Sequence, residues 1–96
     1  METTTTIIEE YGNTTKITDV IEEVDAQHSI IVVNGHPIYV RGEWVISDGR
    51  ELDRRSVVAE LKPGMEVTII FEVAETGKLK ALKITVDGLT YTRMEE

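Results

Sequence analysis

Apolar positions along this chain alternate more often than they recur at helical spacing. The plainest case is MEVTIIFEV, residues 65–73. Here Met65, Val67, Ile69, Phe71 and Val73 point one way, and Glu66, Thr68 and Glu72 the other. A period of two marks a strand with one buried face, and Ile70 is the exception on its polar side. AETGK then turns the chain, residues 79–86 return, and Asp87-Gly88 turns it again into a last strand over 89–94. Upstream, SIIVVNGHPIYV (29–40) sets two apolar runs around Asn34-Gly35, a pair suited to a two-residue hairpin with positive φ. Ile30 and Val32 face one side of that hairpin, Ile31 and Val33 the other. Pro37 has no N–H for a ladder, which places the start of the return strand at an edge or turn. Gly42 kinks this strand before 43–47, where Trp44 and Ile46 share a face.

Two segments read less simply. Ile17, Val20, Ile21 and Val24 fit helical spacing, yet residues 15–24 are rich in Thr, Ile and Val and run through a turn-like DAQHS into the hairpin. A long strand with a bulge is the preferred reading, the bulge shifting the apolar face midway; a helix is the alternative. SDGRELD (47–53) reads as a loop around Asp48-Gly49. Asp53 then caps a short helix over 54–61 with Val57, Val58 and Leu61 on one stripe. The helix stops at Lys62-Pro63-Gly64, because the residue before a proline avoids helical geometry. A type II turn is expected there, with Gly64 at positive φ. Leu61 and Phe71 are expected in one core beneath the helix.

The resulting order is three strands, a short helix and two strands, with an extra strand at each end. This predicts an all-β fold with one short helix, an OB-like small β-barrel. Ninety-six residues suffice for one domain. Residues 1–96 are read as a single OB-like domain, with 1–14 a ragged N-terminal strand or extension.

The pattern from about residue 16 to 86 resembles a family of small bacterial β domains of unknown function, OB-like and often repeated in secreted proteins or lipoproteins. The resemblance rests on VIEEVD (20–25), IVVNGHPIYV (31–40), SDGREL (47–52), LKPGMEV (61–67) and GKLKALKI (77–84). It implies the fold and carries over no catalytic or binding residue. The chain departs from the family pattern in showing no repeat of the domain.

Charge changes the picture in one respect. Formal net charge is −8, from eighteen acids and ten Lys and Arg. Residues 1–40 hold seven of the acids against Lys16 alone, and the other bases follow from Arg41 onward. The acidic stretch reads as a solvated surface, or as one end of a bipolar molecule whose basic end meets an anionic partner. The overall sign opposes tight non-specific binding to nucleic acid. The chain has no cysteine, no apolar run long enough to span a bilayer, and no basic start followed by an apolar stretch as in a signal peptide. A cytoplasmic location without membrane contact is the expectation.

Candidate chemistry is sparse. His28 and His36 fall in or beside turns with no converging ligand set, so no metal is expected. Glu9-Glu10 and Glu22-Glu23 are neighbours that a strand points to opposite faces. Neither a catalytic constellation nor a cofactor motif is present. Trp44 reads as a core residue or as a stacking platform at a barrel mouth, with Tyr39 and Tyr91 as alternates. Lys78, Lys80 and Lys83 cluster on the last hairpin as edge protection or as a ligand face. The loop 74–78 corresponds to the one that flanks the ligand groove in OB barrels. The expected function is a non-catalytic binding or assembly module acting through protein contacts, with a homo-oligomer or another protein as partner. Its expected interface is Ile31, Val33, Tyr39 and Ile70. The alternative is a single-stranded nucleic-acid binder using Trp44, Lys78, Lys80 and Lys83.

Overall fold

The computed structural model describes residues 5–8 and 14–94. Its strands are β1 (Thr5–Ile8), β2 (Thr14–Asp25), β3 (Ile30–Val33), β4 (His36–Tyr39), β5 (Glu43–Ile46), β6 (Glu51–Asp53), β7 (Glu66–Val73), β8 (Leu79–Val86) and β9 (Leu89–Arg93). The helix α1 (Arg54–Ala59) lies between β6 and β7. The fold is all-β with one short helix, as the alternation requires. Part of the expected N-terminal strand is β1, paired with β2; the rest of 1–13 lies outside the described residues.

The pairings trace a circuit. β2 pairs with β3, β3 with β4, β4 with β8 in parallel, β8 with β7, and β7 again with β2. The helix falls between the third and fourth strands of that circuit, in the OB-like order expected. β9, β5 and β6 extend from β8 as an annex.

The 15–24 ambiguity resolves as a strand with a bulge. Ile17 and Ile21 point inward, the register slips between Ile21 and Glu23, and Val24 takes up the inner face one residue out of phase. The slip sets Ile21 and Val24 three residues apart on the inner side, whereas Val20, 42% exposed, lies on the outer side and is no part of a stripe. Along its length β2 pairs with β1 over 14–17, with β7 over 14–20 and with β3 over 21–25.

The hairpin turns follow their residues. Asn34 and Gly35 have φ of 54° and 77°, the left-handed pair that matches strand twist. Pro37 lies at the exposed start of β4, and β8 pairs only from Ile38 onward, so no ladder bond is missed. At the helix, the Asp53 carboxylate accepts from the Ser56 N–H at 2.9 Å, as expected of a cap. The helix is shorter than the stretch 54–61, but Val57, Val58 and Leu61 are all buried. Gly64 stands at φ 94° and the Met65 N–H reaches the Lys62 carbonyl. The Gly64 N–H meanwhile bonds the Ile21 carbonyl at 2.8 Å, tying the turn to the bulged part of β2. Leu61 and Phe71 join one core with Ile21, Ile31, Ile38, Ile69 and Ile84.

Three expectations change. Gly42, at φ 81°, does more than kink a strand. It separates β4, which pairs with β8, from β5, which pairs with β9 and β6. The 47–53 loop contains β6, whose Glu51–Asp53 run pairs with β5; its three residues are too few for alternation to show. Ile31 and Val33 do not form a contact surface. Both are 0% exposed, because the inner face of the hairpin is the one that carries them. Ile30 and Val32 take the outer face and are half-buried.

Candidate functional site: a basic groove around Tyr39

The end of the circuit where β2 turns into β3 and β7 into β8 carries a groove of about 610 Å³. Arg41, Lys78, Lys80 and Arg93 line it with Tyr39, Gly42, Ala74 and Thr76. A second lobe of about 470 Å³ shares Tyr39, Arg41 and Lys78 and extends past Gln27, His28 and Ser29 to Arg54 and Arg55. Six of the ten Lys and Arg of this acidic chain therefore line these two adjoining recesses. Among the described residues neither lobe has a carboxylate in its wall, although Glu43 and Asp53 line the adjoining recess with Gly42, Arg54 and Arg55.

Each wall has a local cause. Tyr39 and Lys80 are brought level by the parallel β4–β8 pairing, which joins residues far apart in sequence. Lys78 ends the loop before β8, where Ala74 N–H bonds the Lys78 carbonyl and holds the loop closed. Arg93 enters through the β5–β9 ladder, opposite Trp44. Gly42 completes the floor: its left-handed backbone turns the chain there without strain. Ser29, buried and at φ 58°, turns the opposite wall, a backbone region uncommon for a residue with a side chain.

Tyr39 organises the cations. The Arg41 guanidinium carbon lies 4.9 Å from its ring centroid and the Lys78 ammonium 5.1 Å, within range of cation–π attraction. Arg41 is further anchored by two bonds from Nη1, to the His28 and Val40 carbonyls, each 3.2 Å. Trp44 acts from beneath. It is 0% exposed, and its Nε1–H donates to the Arg41 carbonyl at 2.9 Å. Trp44 is thus a core residue that fixes the backbone of Arg41, not a stacking platform.

Among the described residues the ion pairs are His28–Asp25, Arg50–Asp48 and Arg50–Glu60. None involves Arg41, Lys78, Lys80 or Arg93. Glu72 stands across from Lys80 in the ladder without closing an ion pair with it. At the rim, His28 Nδ1 lies 2.8 Å from Asp25 Oδ2 and holds that carboxyl below the usual range. Beside the second lobe, the Ser56 backbone bond lowers the Asp53 carboxyl, with Arg55 and Arg54 adding to it.

The structure sorts the expected site residues. Tyr39, Lys78 and Lys80 come together, and Ala74, Thr76 and Lys78 of the 74–78 loop line the groove. Lys83 does not join them; it lies farther along β8, exposed, opposite Ile70 and Thr92. Ile70 is half-buried on the outer face, in register between Lys16 and Lys83, whose aliphatic stems suit an apolar spot. Tyr91 is buried and donates to Glu60 Oε1 at 2.6 Å. Arg41 and Arg93 escaped the sequence reading. A cation two residues after an exposed-face aromatic at a strand end was the available signal for Arg41; Arg93 had none.

Among the described residues no three His, Asp or Glu side chains gather as a metal would require, and no helix is long and apolar enough to cross a membrane. No family model matches the chain, and no curated protein and no solved structure is significantly similar to it.

Proposed function

We propose that this chain is a non-catalytic binding module, and that its partner is a protein presenting an acidic segment to the Tyr39 groove. The observation that carries this reading is the set of four cations around Tyr39, none of which closes an ion pair among the described residues. Two neighbouring carboxylates on a partner would meet Arg41 and Lys80 or Arg93 in charge-assisted hydrogen bonds, the strong kind. The proposal keeps protein contact as the mode of action and moves the contact face from the apolar hairpin to the groove. Membership in the small bacterial OB-like family and a cytoplasmic setting belong to the same proposal.

Single-stranded nucleic acid is the competing ligand, since OB-type folds use this face for oligonucleotides. Such binding draws on aromatic faces open to bases. Here the Tyr39 ring is engaged by two cations, and Trp44, Phe71 and Tyr91 are buried. A net charge of −8 also repels the strand beyond the groove.

Fluorescence anisotropy decides between them. A labelled peptide with clustered Asp and Glu and a mixed-sequence single strand of equal charge are titrated at low and moderate salt. The peptide should bind more tightly and lose about tenfold or more, roughly 1.4 kcal/mol, on Arg41→Ala or Lys80→Glu. A strand that binds more tightly than the peptide would make the oligonucleotide reading the better one.

A further inference from the structure

The groove presents its cations at one end of the molecule, and four exposed carboxylates gather at the opposite end. The β3–β4 hairpin runs from Tyr39 and Ile30 at the groove to Asn34-Gly35 at the far turn. There Glu22 Oε1 accepts from the Gly35 N–H at 3.1 Å. Glu23 follows on the bulged stretch of β2, and Glu66 pairs with Val20 just before it. The β7–β8 register brings Asp87, beyond Thr85, level with Glu66. Glu22, Glu23, Glu66 and Asp87 are all exposed. Lys62, two residues before Gly64, stands at the same end, outnumbered. The eight residues of β8 run between the two ends, a length of roughly 25 Å. That exceeds the screening length of about 10 Å at 0.1 M salt, so the two ends act as separate charges rather than cancelling.

We infer that the chain associates head to tail with itself, the Glu22–Glu23 end of one copy seating in the Tyr39 groove of the next. The inference rests on the groove reading above and names its partner as a second copy. Charge complementarity supplies the occupant: the chain's own acidic end has clustered carboxylates to set against groove cations that close no ion pair among the described residues. A contact between two different surfaces of identical chains is heterologous. It leaves a free groove at one end and a free acidic end at the other, so it propagates into a ring or a linear assembly.

Sedimentation velocity on the full chain tests this. The wild type should form species above monomer mass that grow with concentration at low salt and dissolve near 1 M salt, where screening shortens to about 3 Å. Neutralising the groove with Lys78→Ala plus Lys80→Ala should give monomer, as should neutralising the acidic end with Glu22→Gln plus Glu23→Gln. Gln keeps an oxygen for the Gly35 N–H, so the second variant preserves the turn, and circular dichroism verifies the fold of both. Mixed in equal amounts, the two variants should form a dimer and nothing larger, because only one competent pair of surfaces remains.

Three results would overturn the inference: a wild type monomeric at every salt, an assembly indifferent to salt, or a mixture that stays monomeric. If the wild type is monomeric but still binds the acidic peptide, the groove reading stands and only self-association falls. If peptide binding is absent as well, both fall.

Discussion

Two clusters in this molecule are built from nearly the same parts. In one, Tyr91 donates to Glu60 Oε1, and Arg50 reaches both Glu60, at 2.5 Å, and Asp48, at 2.8 Å. In the other, Tyr39 holds Arg41 and Lys78 against its ring, and neither cation closes an ion pair among the described residues. The first is closed on itself: hydroxyl, carboxylates and guanidinium satisfy one another and tie the end of the helix to β9. The second leaves its cations turned to an open recess. A cluster that completes its own charges serves the fold, whereas one that leaves a single sign unmatched is what the proposed binding role draws on.

Electrostatics of the closed cluster follow from that completeness. Arg50, with Tyr91 next, holds the Glu60 carboxyl below the usual glutamate range, and Arg50 is in turn held more firmly protonated by Glu60 and Asp48. Burial first, then the bond to Glu60, pushes the Tyr91 hydroxyl up to about 12.

The largest expected effect breaks both clusters from their shared core. Trp44→Ala removes a fully buried ring and should cost about 3–5 kcal/mol, read by urea denaturation. Because it also frees the Arg41 carbonyl, acidic-peptide binding should weaken even under conditions where the variant stays folded. Leu61→Ala and Phe71→Ala should each cost about 2–5 kcal/mol without touching the groove. Wild-type stability in both would remove the common core beneath the helix.

A turn outside both clusters is the next test. Gly64→Val places a branched side chain at φ 94°, where no neighbour lies within 4 Å of the added Cβ. The penalty is therefore conformational, not steric crowding. It should exceed the ~1 kcal/mol of a substitution at a compatible site, seen as a lowered thermal midpoint.

Sharpening the closed cluster calls for Tyr91→Phe. Losing the hydroxyl bond should cost about 1 kcal/mol. The pH dependence gives a second readout. The folded Tyr91 keeps its proton above the usual value of 10.0, up to about 12. Its contribution is complete below pH 10 and declines as pH rises toward 12. Tyr91→Phe should flatten that alkaline decline. At the acid end, Glu60 is depressed, so its contribution is present above the ordinary glutamate range and is lost as pH falls through the lowered folded value.

The smallest stability effect belongs to the open cluster. Lys78→Ala and Lys80→Ala should change unfolding free energy by no more than about 0.5 kcal/mol, while weakening association. A large destabilisation would mean that these cations are structural after all, and the contrast between the clusters would fail.

How far all this was legible depended on the range of the interactions. Strands with one buried face declared themselves through alternation, and Asn34-Gly35, Asp53 and Gly64 through backbone preferences that each residue carries alone. What alternation cannot tell is which of two apolar faces is inside. Ile31 and Val33 could be assigned only once β2 and β4 flanked them. Trp44 was ambiguous for the same reason. The groove was half readable: Lys78, Lys80 and the 74–78 loop are neighbours in sequence, whereas Arg41 and Arg93 arrive through the β4–β8 and β5–β9 pairings, which no local pattern encodes. The Gly42 break hid behind continuous apolar character on both sides of it.

The circuit of pairings also bears on how fast this chain finds its structure. The β3–β4 and β8–β9 hairpins, each with a two-residue turn, form within microseconds as isolated events. Joining them into the circuit is another matter, because Ile38 must meet Leu79 and Thr14 must meet Glu72. Each closure spends chain entropy before its contacts repay it, and topologies dominated by such distant pairings fold in milliseconds to seconds. Until that closure the annex has no β8–β9 platform locked in place, and the groove does not exist, since its walls come from opposite sides of the seam. The groove is therefore a property of the finished molecule, not of a nascent or partly folded chain.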